Sequence, residues 1–387
     1  MPFDDLSKSL VVLDQDSTLI STVELSLSSW LVASLVPGLG RRPQKKLDPK
    51  PEGLLSLLLQ WRDAAVKAGH PISRIVVAFE AGRDGFWLAR FLRSRGIEAH
   101  VIHASSIPVK REHRRAKSDR LDNLLLMRAL LGWLRGEEAH CSMVAVPTSE
   151  EEDAKRPSRE HEALVGARTG LVNRMKASLI RFGIRAFKPG LRKAAEALDG
   201  LRTAEGAPLP PHTLAELRRD LARLRLIRAQ IKEIETQRLT RLEAAPGHGP
   251  HPMILLLAKV LGLGVETADM LVNEALSRNL RDRRAVGRYA GLTGSPDESG
   301  RKRREKGLAR AGNARVRRGM VQLAWRFLMF QKDCALVRWF RDKVAAAPRR
   351  DLRKTLIVAL ARKLLIALWR YATQGVVPEG VIFKQAV

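Results

Sequence analysis

Cys141 and Cys334 are the only cysteines in 387 residues. A pair so far apart builds neither a disulfide scaffold nor a cysteine-based zinc site, and such scarcity fits a reducing cytoplasm. No run of ~18 uncharged apolar residues occurs, which argues against a membrane span. The opening MPFDDLSKSL is acidic and lacks the basic-then-apolar layout of a secretory signal. His100, His103, His113, His248 and His251 show no ligand spacing with Cys or Asp, and read as non-metal residues. There is no internal repeat and no low-complexity tract. Acid is also in short supply, with 41 Asp and Glu against 69 Lys and Arg, a net charge of +28.

The imbalance is uneven along the chain. Residues 1–150 hold 21 basic and 17 acidic side chains, and residues 151–387 hold 48 and 24. Residues 301–350 alone carry 16 basic and 3 acidic. A genome rich in G and C would favour Arg over Lys everywhere, but would not crowd the charge toward one end. Such a field attracts a polyanion, and nucleic acid is the obvious one.

The length suggests two or three domains. In 1–150, strands alternate with helices, which predicts an α/β layer with a buried, largely parallel sheet. The apolar run 9–14 ends in Asp14, 18–26 could pair with it, and RIVVAFE at 74–80 ends in Glu80. EAHVIH at 98–103 is a further strand. Helices fall at 53–68, around Phe86–Leu92, and from about Ser118 to Leu134. Residues 27–51, with Pro37, Gly38, Gly40 and Pro43, read as a loop or insertion. A long helix at 159–184 could turn Arg168, Arg174, Lys176 and Arg181 toward a polyanion. Leu214 to Ile234 recur at threes and fours behind a capping box, Thr213 with Glu216. That predicts a coiled-coil segment in 151–245 whose stripe packs on another helix, one of a second subunit. Residues 246–387 are again helical, interrupted by a Gly- and Arg-rich stretch.

Four acids stand where chemistry would want them. Asp14 and Glu80 end strands, and the carboxyl edge of a parallel sheet is where α/β proteins place their sites. Asp119 and Asp122 lie three apart at a helix start, so both point the same way. Each alone has a structural reading; Asp119 simply favours a helix N-terminus. Gathered, they would repel unless a cation bridged them, and hard oxygen donors select Mg²⁺ or Mn²⁺.

In the basic part, Ser299 precedes RKRREK, and 299–318 hold nine basic residues against one acid. A surface serine capping a turn is the plainer reading. A hydroxyl in so cationic a field also suits attack on phosphorus, with Arg301, Lys302, Arg303, Arg304, Lys306, Arg310, Arg315, Arg317 and Arg318 holding phosphates. The Gly-x-Gly of VLGLGVETADMLVNEAL is either a tight turn or a helix-hairpin-helix that lets backbone amides approach DNA.

Three blocks, LDQDSTL, VVAFEAGRDGFWLARFL and KSDRLDNLLLMRAL, resemble in this order the signature blocks of the DEDD transposases of the insertion-sequence-110 family. RYAGLTGSPDESGRKRREKGLARAGNARVRRGMVQLAW is similar to that family's serine block, and LAKVLGLGVETADMLVNEAL to its helix-hairpin-helix segment. Together these cover roughly two thirds of the chain. The resemblance implies an RNase H-like (RuvC-like) domain over 1–150, a helical coiled-coil linker over 151–245 and a basic serine domain over 246–387. It implies Asp14, Glu80, Asp119 and Asp122 as metal ligands, with Asp16 a weaker alternative to Asp14. It implies Ser299 as nucleophile, with Ser295 the weaker candidate. It further implies donor and target DNA, a guide RNA, and a homodimer or homotetramer whose site combines carboxylates of one subunit with the serine of another; nucleoid association would follow. The competing readings are a resolvase-like nuclease using water, and a non-catalytic nucleic-acid-binding protein. The chain departs from the family pattern at 27–51 and at 135–158.

Overall fold

A computed structural model of the chain describes residues 8–9, 11–107, 119–137, 140–299, 302–308, 311–346 and 352–385. It divides into two compact units, Met1–Glu150 and Glu151–Val387. The basic stretch 110–117, His113, Arg301 and Arg310 lie outside the described residues.

The first unit is built on one mixed sheet. Strands β1 (Thr18–Leu25), β2 (Trp30–Leu35) and β3 (Gln44–Leu47) form an antiparallel meander. Strands β4 (Arg74–Glu80) and β5 (Glu98–Ile102) run parallel to β1 on its other side, and β6 (Met143–Val144) pairs antiparallel with β5. The strand order is β3-β2-β1-β4-β5-β6. Parallel pairing occurs only where helices α1 (Pro51–Lys67) and α2 (Gly85–Arg93) cross over; the short connections of the meander give antiparallel ladders, and β6 returns antiparallel to β5 after a long connection. The sheet is therefore mixed, where the sequence suggested a largely parallel one.

Two further expectations are corrected here. The described residues of the expected first strand, 9 and 11–14, are not in a strand: both edges of β1 are taken, by β2 and β4, and Val11 and Val12 are 59% and 91% exposed. Residues 27–51 are not a loop but supply β2 and β3. Trp30, Val32 and Ala33 are buried, and β2 pairs with β1 from Leu25↔Trp30 to Ile20↔Leu35. The glycines and prolines mark only the connection between β2 and β3.

The sheet has two faces. Leu19, Val23, Val77 and Phe79 share a core with Leu58 and Leu88 of α1 and α2. Ile20, Val76 and Ala78 share the other core with Leu126 and Leu130 of α3 (Asp119–Leu134).

The short helix α4 (Ser149–Asp153) spans the division between the units. The second unit has two cores. In the first, helices α5 (Arg156–Ile180), α6 (Ala194–Asp199) and α7 (Pro211–Ala244) bury Leu171, Met175 and Leu198 with Leu217, Leu221 and Leu224. The α7 stripe is thus covered from within the chain, by α5 and α6. Its capping box does not form: α7 begins at Pro211, with Pro210 at the cap and no side-chain cap. Proline suits a first helical position because its missing N–H would find no partner there anyway.

The second core gathers α8 (His251–Ala258), α9 (Val265–Leu271), a π-helical turn (Val272–Leu276), α10 (Arg283–Tyr289), α11 (Ala314–Phe330), α12 (Ala335–Ala345) and α13 (Leu352–Gln374). The Gly- and Arg-rich stretch is an antiparallel hairpin of β7 (Gly294–Ser299) and β8 (Lys302–Leu308).

Candidate carboxylate edge and serine hairpin

Pairing register fixes which acids meet. Along β1 and β4 the even-numbered residues Ile20, Val76 and Ala78 face α3. Glu24 and Glu80 continue those two series. The strands are in register from Thr18↔Arg74 to Val23↔Phe79. Glu24 and Glu80 follow that last pair as neighbours on adjacent strands, ~4.8 Å apart in the ladder direction. Both are half-buried.

Helix α3 is fastened beside them. The Thr22 hydroxyl donates to Asn123 Oδ1, and Asn123 Nδ2 donates to the Leu31 carbonyl at 2.7 Å. Leu31 is the register partner of Glu24. Asn123 is fully buried, and a buried amide with its partners met is a strong positional constraint. It holds the first turn of α3, and hence Asp119 and Asp122, at the sheet end carrying Glu24 and Glu80. Asp122 is half-buried and Asp119 exposed.

Asp14 stands elsewhere. It is exposed, accepting from the Ser17 hydroxyl at 2.6 Å and the Asp16 amide at 3.0 Å. These bonds hold its carboxyl below the usual carboxylate range, the Ser17 hydroxyl contributing most. The Ser17 carbonyl in turn accepts from the Ser73 amide at 3.0 Å, so Asp14 lies by the start of β4. Glu80 ends that strand, about 20 Å away at ~3.3 Å per residue. Asp16 shares the position of Asp14. The structure therefore brings Glu80, Asp119 and Asp122 to one edge, leaves Asp14 at the other, and adds Glu24, which sequence reasoning missed. The available signal was the end of the run STVEL; placing the first strand at 9–14 drew attention to the wrong acid.

Among the described residues no three His, Cys, Asp or Glu side chains converge closely enough to hold a metal ion as they stand. The donor chemistry of the edge, four carboxylates, suits a hard divalent cation.

In the second unit Ser299 ends β7 directly opposite Lys302, at the tip of the hairpin. Glu298 and Asp297 stand opposite Arg303 and Arg304 in register, and Lys306 lies further along β8. The base of the hairpin is tight. Gly312 has φ +87°, and a Cβ there would lie 2.5 Å from the Tyr289 carbonyl. The Asn313 amide donates to that carbonyl at 2.6 Å, and its side chain caps α11.

Beneath the base lies Glu274, buried in the π-helical turn. It accepts from Arg159 at 2.8 Å and from Asn313 Nδ2 at 3.1 Å, and Tyr289 donates to its backbone carbonyl at 2.7 Å. Burial raises the Glu274 carboxyl, but Arg159, Asn313 and Arg315 outweigh it and hold the group below its ordinary value. Turns of this kind often mark functional sites.

The expected phosphate ligands divide. Arg315 is mostly buried, pairing with Glu162 at 2.6 Å and donating to the Ser158 carbonyl at 2.7 Å, so it serves the packing of α11 on α5. Arg318 pairs with Glu162 at 2.7 Å but is 61% exposed. Arg317 lies on the same helix, beside Gly291. Arg174 is held by buried Asp220 at 2.5 Å. The Gly-x-Gly turn also serves packing: a Cβ on Gly262 would lie 3.1 Å from Phe330, and Gln331 donates to the Leu261 carbonyl.

Comparison with known proteins agrees on the class. Residues 255–338, which run from α8 through the hairpin into α12, match the family described as "Transposase IS116/IS110/IS902 family". The chain is 42% identical over 372 residues to a putative transposase of Sinorhizobium fredii named y4rJ, covering 94% of each chain. It is 25% identical over 315 residues to the transposase of insertion sequence element IS1328 from Yersinia enterocolitica, covering 78% of this chain and 85% of that one. It is also 25% identical over 306 residues to a probable family 20 transposase of Pseudomonas aeruginosa, covering 76% and 82%.

The class is that of the transposases, DNA-recombining enzymes. The chain belongs to the IS110 family of insertion-sequence transposases. Among the described residues no helix is long and apolar enough to cross a membrane.

Proposed function

We propose that this transposase cuts and rejoins DNA strands with a carboxylate site of Glu24, Glu80, Asp119 and Asp122 in an RNase H-like first unit, and with Ser299 as nucleophile. The observation that carries the reading is the register of β1 and β4, which makes Glu24 and Glu80 neighbours at the end where Asn123 fastens the first turn of α3. The meander β1–β3 followed by parallel β4 and β5 supports the RNase H-like assignment. Asp14 has no part in this site.

Two Mg²⁺ or Mn²⁺ ions bound there would supply Lewis acidity at the attacking and leaving oxygens. The chain's own residues do the rest. Glu24 and Glu80 present oxygens from rigid strand ends, and Asp119 and Asp122 from one helical turn. Ser299 Oγ forms a bond to phosphorus as the bond from phosphorus to the leaving strand oxygen breaks. The hydroxyl proton is lost and the leaving oxygen is protonated. The covalent serine–DNA link conserves the energy of the broken phosphodiester, which hydrolysis would dissipate. Guanidinium groups of the hairpin hold flanking phosphates without proton transfer, since arginine stays charged. The excess charge of residues 151–387 supports a guide RNA bound alongside donor and target DNA, by a homodimer or homotetramer.

The test is capture of the adduct. Wild type incubated with element-end DNA and Mg²⁺ should give a protein–DNA species that survives denaturation and is lost with EDTA. Ser299→Ala should abolish it while keeping DNA binding. If Ser295→Ala abolishes it and Ser299→Ala does not, the serine is misassigned. If both serine variants recombine normally, water is the nucleophile and the resolvase-like reading replaces this one.

A further inference from the structure

Most arginines of the helical unit that approach a buried acid are locked to it. Arg174 and Arg223 both hold Asp220, Arg159 holds Glu274, and Arg238 holds Asp269. One cluster does not follow this rule. A cleft of about 320 Å³ between α5, α7 and the segment after α5 is lined by Arg168 and Lys176 of α5, Lys188, and Arg228 of α7. No acidic residue lines it, and none of these four cations is in an ion pair with a described carboxylate.

The cations come from three segments of the chain yet open on one space. Arg168, Val172 and Lys176 recur every four residues on α5, so they form one stripe. Arg174 lies off that stripe and turns to Asp220 instead. Arg228 Nη1 donates to the Gly190 carbonyl at 2.6 Å, which fixes the guanidinium at the cleft wall and leaves other N–H donors available. Four like charges around one space repel one another, and an anion relieves that repulsion. Asn173 adds an amide donor at the rim, and the floor is Val172 and Leu224. No aromatic side chain lines the cleft, so nothing there stacks a base.

We propose that this cleft holds the phosphodiester backbone of a bound nucleic acid, gripping phosphates from α5, α7 and the segment between them without reading sequence. The proposal rests on the nucleic-acid reading of the basic unit but not on the carboxylate edge or Ser299. A failure of the strand-transfer test leaves it standing, because its readout is binding alone.

The experiment compares two triple variants of the full chain. One carries Arg168→Gln, Lys176→Gln and Lys188→Gln. The other removes the same charge from exposed positions of α7 outside the cleft, with Arg219→Gln, Arg225→Gln and Lys232→Gln. Each is titrated with duplex DNA and with a structured RNA of matched phosphate number, over a range of salt. The cleft variant should lose roughly tenfold or more in affinity, and its slope of log affinity against log salt should fall by about 3, as expected when three phosphate contacts go. The control should lose only a few-fold. A loss confined to RNA assigns the cleft to an RNA strand, one confined to DNA assigns it to DNA, and a loss in both makes it a general backbone grip. Equal losses in cleft and control variants, with melting curves unchanged, overturn the proposal.

Discussion

The two units bury their polar residues differently. In the first, the buried polar side chains among the described residues are Thr18, Ser21, Thr22, Ser34 and Asn123, all uncharged. In the second they include Asp220, Arg238, Asp269, Glu274 and Lys155. The sheet unit is held by a strand ladder and two apolar cores, and among the described residues keeps its carboxylates out of those cores. The helical unit has no ladder between its helices and ties them with acid–arginine pairs. Much of its arginine is therefore structural, and its positive field comes from the remainder. A basic sequence overstates the number of cations that can meet nucleic acid, because burial of each acid takes one or two arginines with it.

The sharpest way to break this comparison is at the carboxylate edge. Glu24→Gln and Glu80→Gln should each lower strand transfer by several orders of magnitude, in keeping with loss of a metal-bound transition state. Asp14→Asn should stay within a few-fold of wild type. Adduct yield on denaturing gels measures all three. Full activity of Glu24→Gln with loss in Asp14→Asn would return the site to the sequence-based assignment.

Next in size is the acid under the hairpin. Glu274→Ala leaves Arg159 and Arg315 without their buried partner, and should destabilise the second unit by about 3 kcal/mol, moderated because Arg159 is half exposed. Urea unfolding followed by circular dichroism gives the value. A change under about 0.5 kcal/mol would mean that the network is not structural.

In the sheet unit, Asn123→Leu removes the link from α3 to β1 and β2 and strands the Thr22 hydroxyl. The expected loss is about 2 kcal/mol, with strand transfer falling by more than the stability change explains. Activity surviving at full level in a destabilised but folded variant would separate α3 from the site.

The smallest effect concerns acid. Burial raises the Glu98 carboxyl, but hydrogen bonds from His100 and Arg74 outweigh this and hold it at about 2. Its folded value lies below its unfolded one, so its stabilisation is present above pH 4.5 and lost as pH falls toward 2. Glu98→Gln should flatten the loss of sheet-unit stability in that window and leave the helical unit's acid response unchanged. Identical acid profiles in wild type and variant would rule this out.

Local signals in the sequence placed α1, β4, α2, β5 and α3, because each has a strong apolar period and clear stops. They placed Glu80, Asp119 and Asp122 for the same reason: each sits at an element end that local pattern defines. The same signals placed β1 but failed on either side of it, at 9–14 and 27–51. There an apolar run resembled a strand that had no neighbour to pair with, and glycines and prolines hid two strands that did.

The sequence by itself determined the helical course of the second unit, the separation of charge between the units, and the family, since composition, period and ordered motifs are properties of the chain. Only the tertiary structure decided that Glu24 rather than Asp14 joins Glu80, that Arg174 and Arg315 serve packing, and that Arg168, Lys176, Lys188 and Arg228 share one cleft. Strand register and ion pairing join residues that are distant in sequence, and neither leaves a local trace, because the same side chain reads alike whether its partner is an acid, a metal or a phosphate.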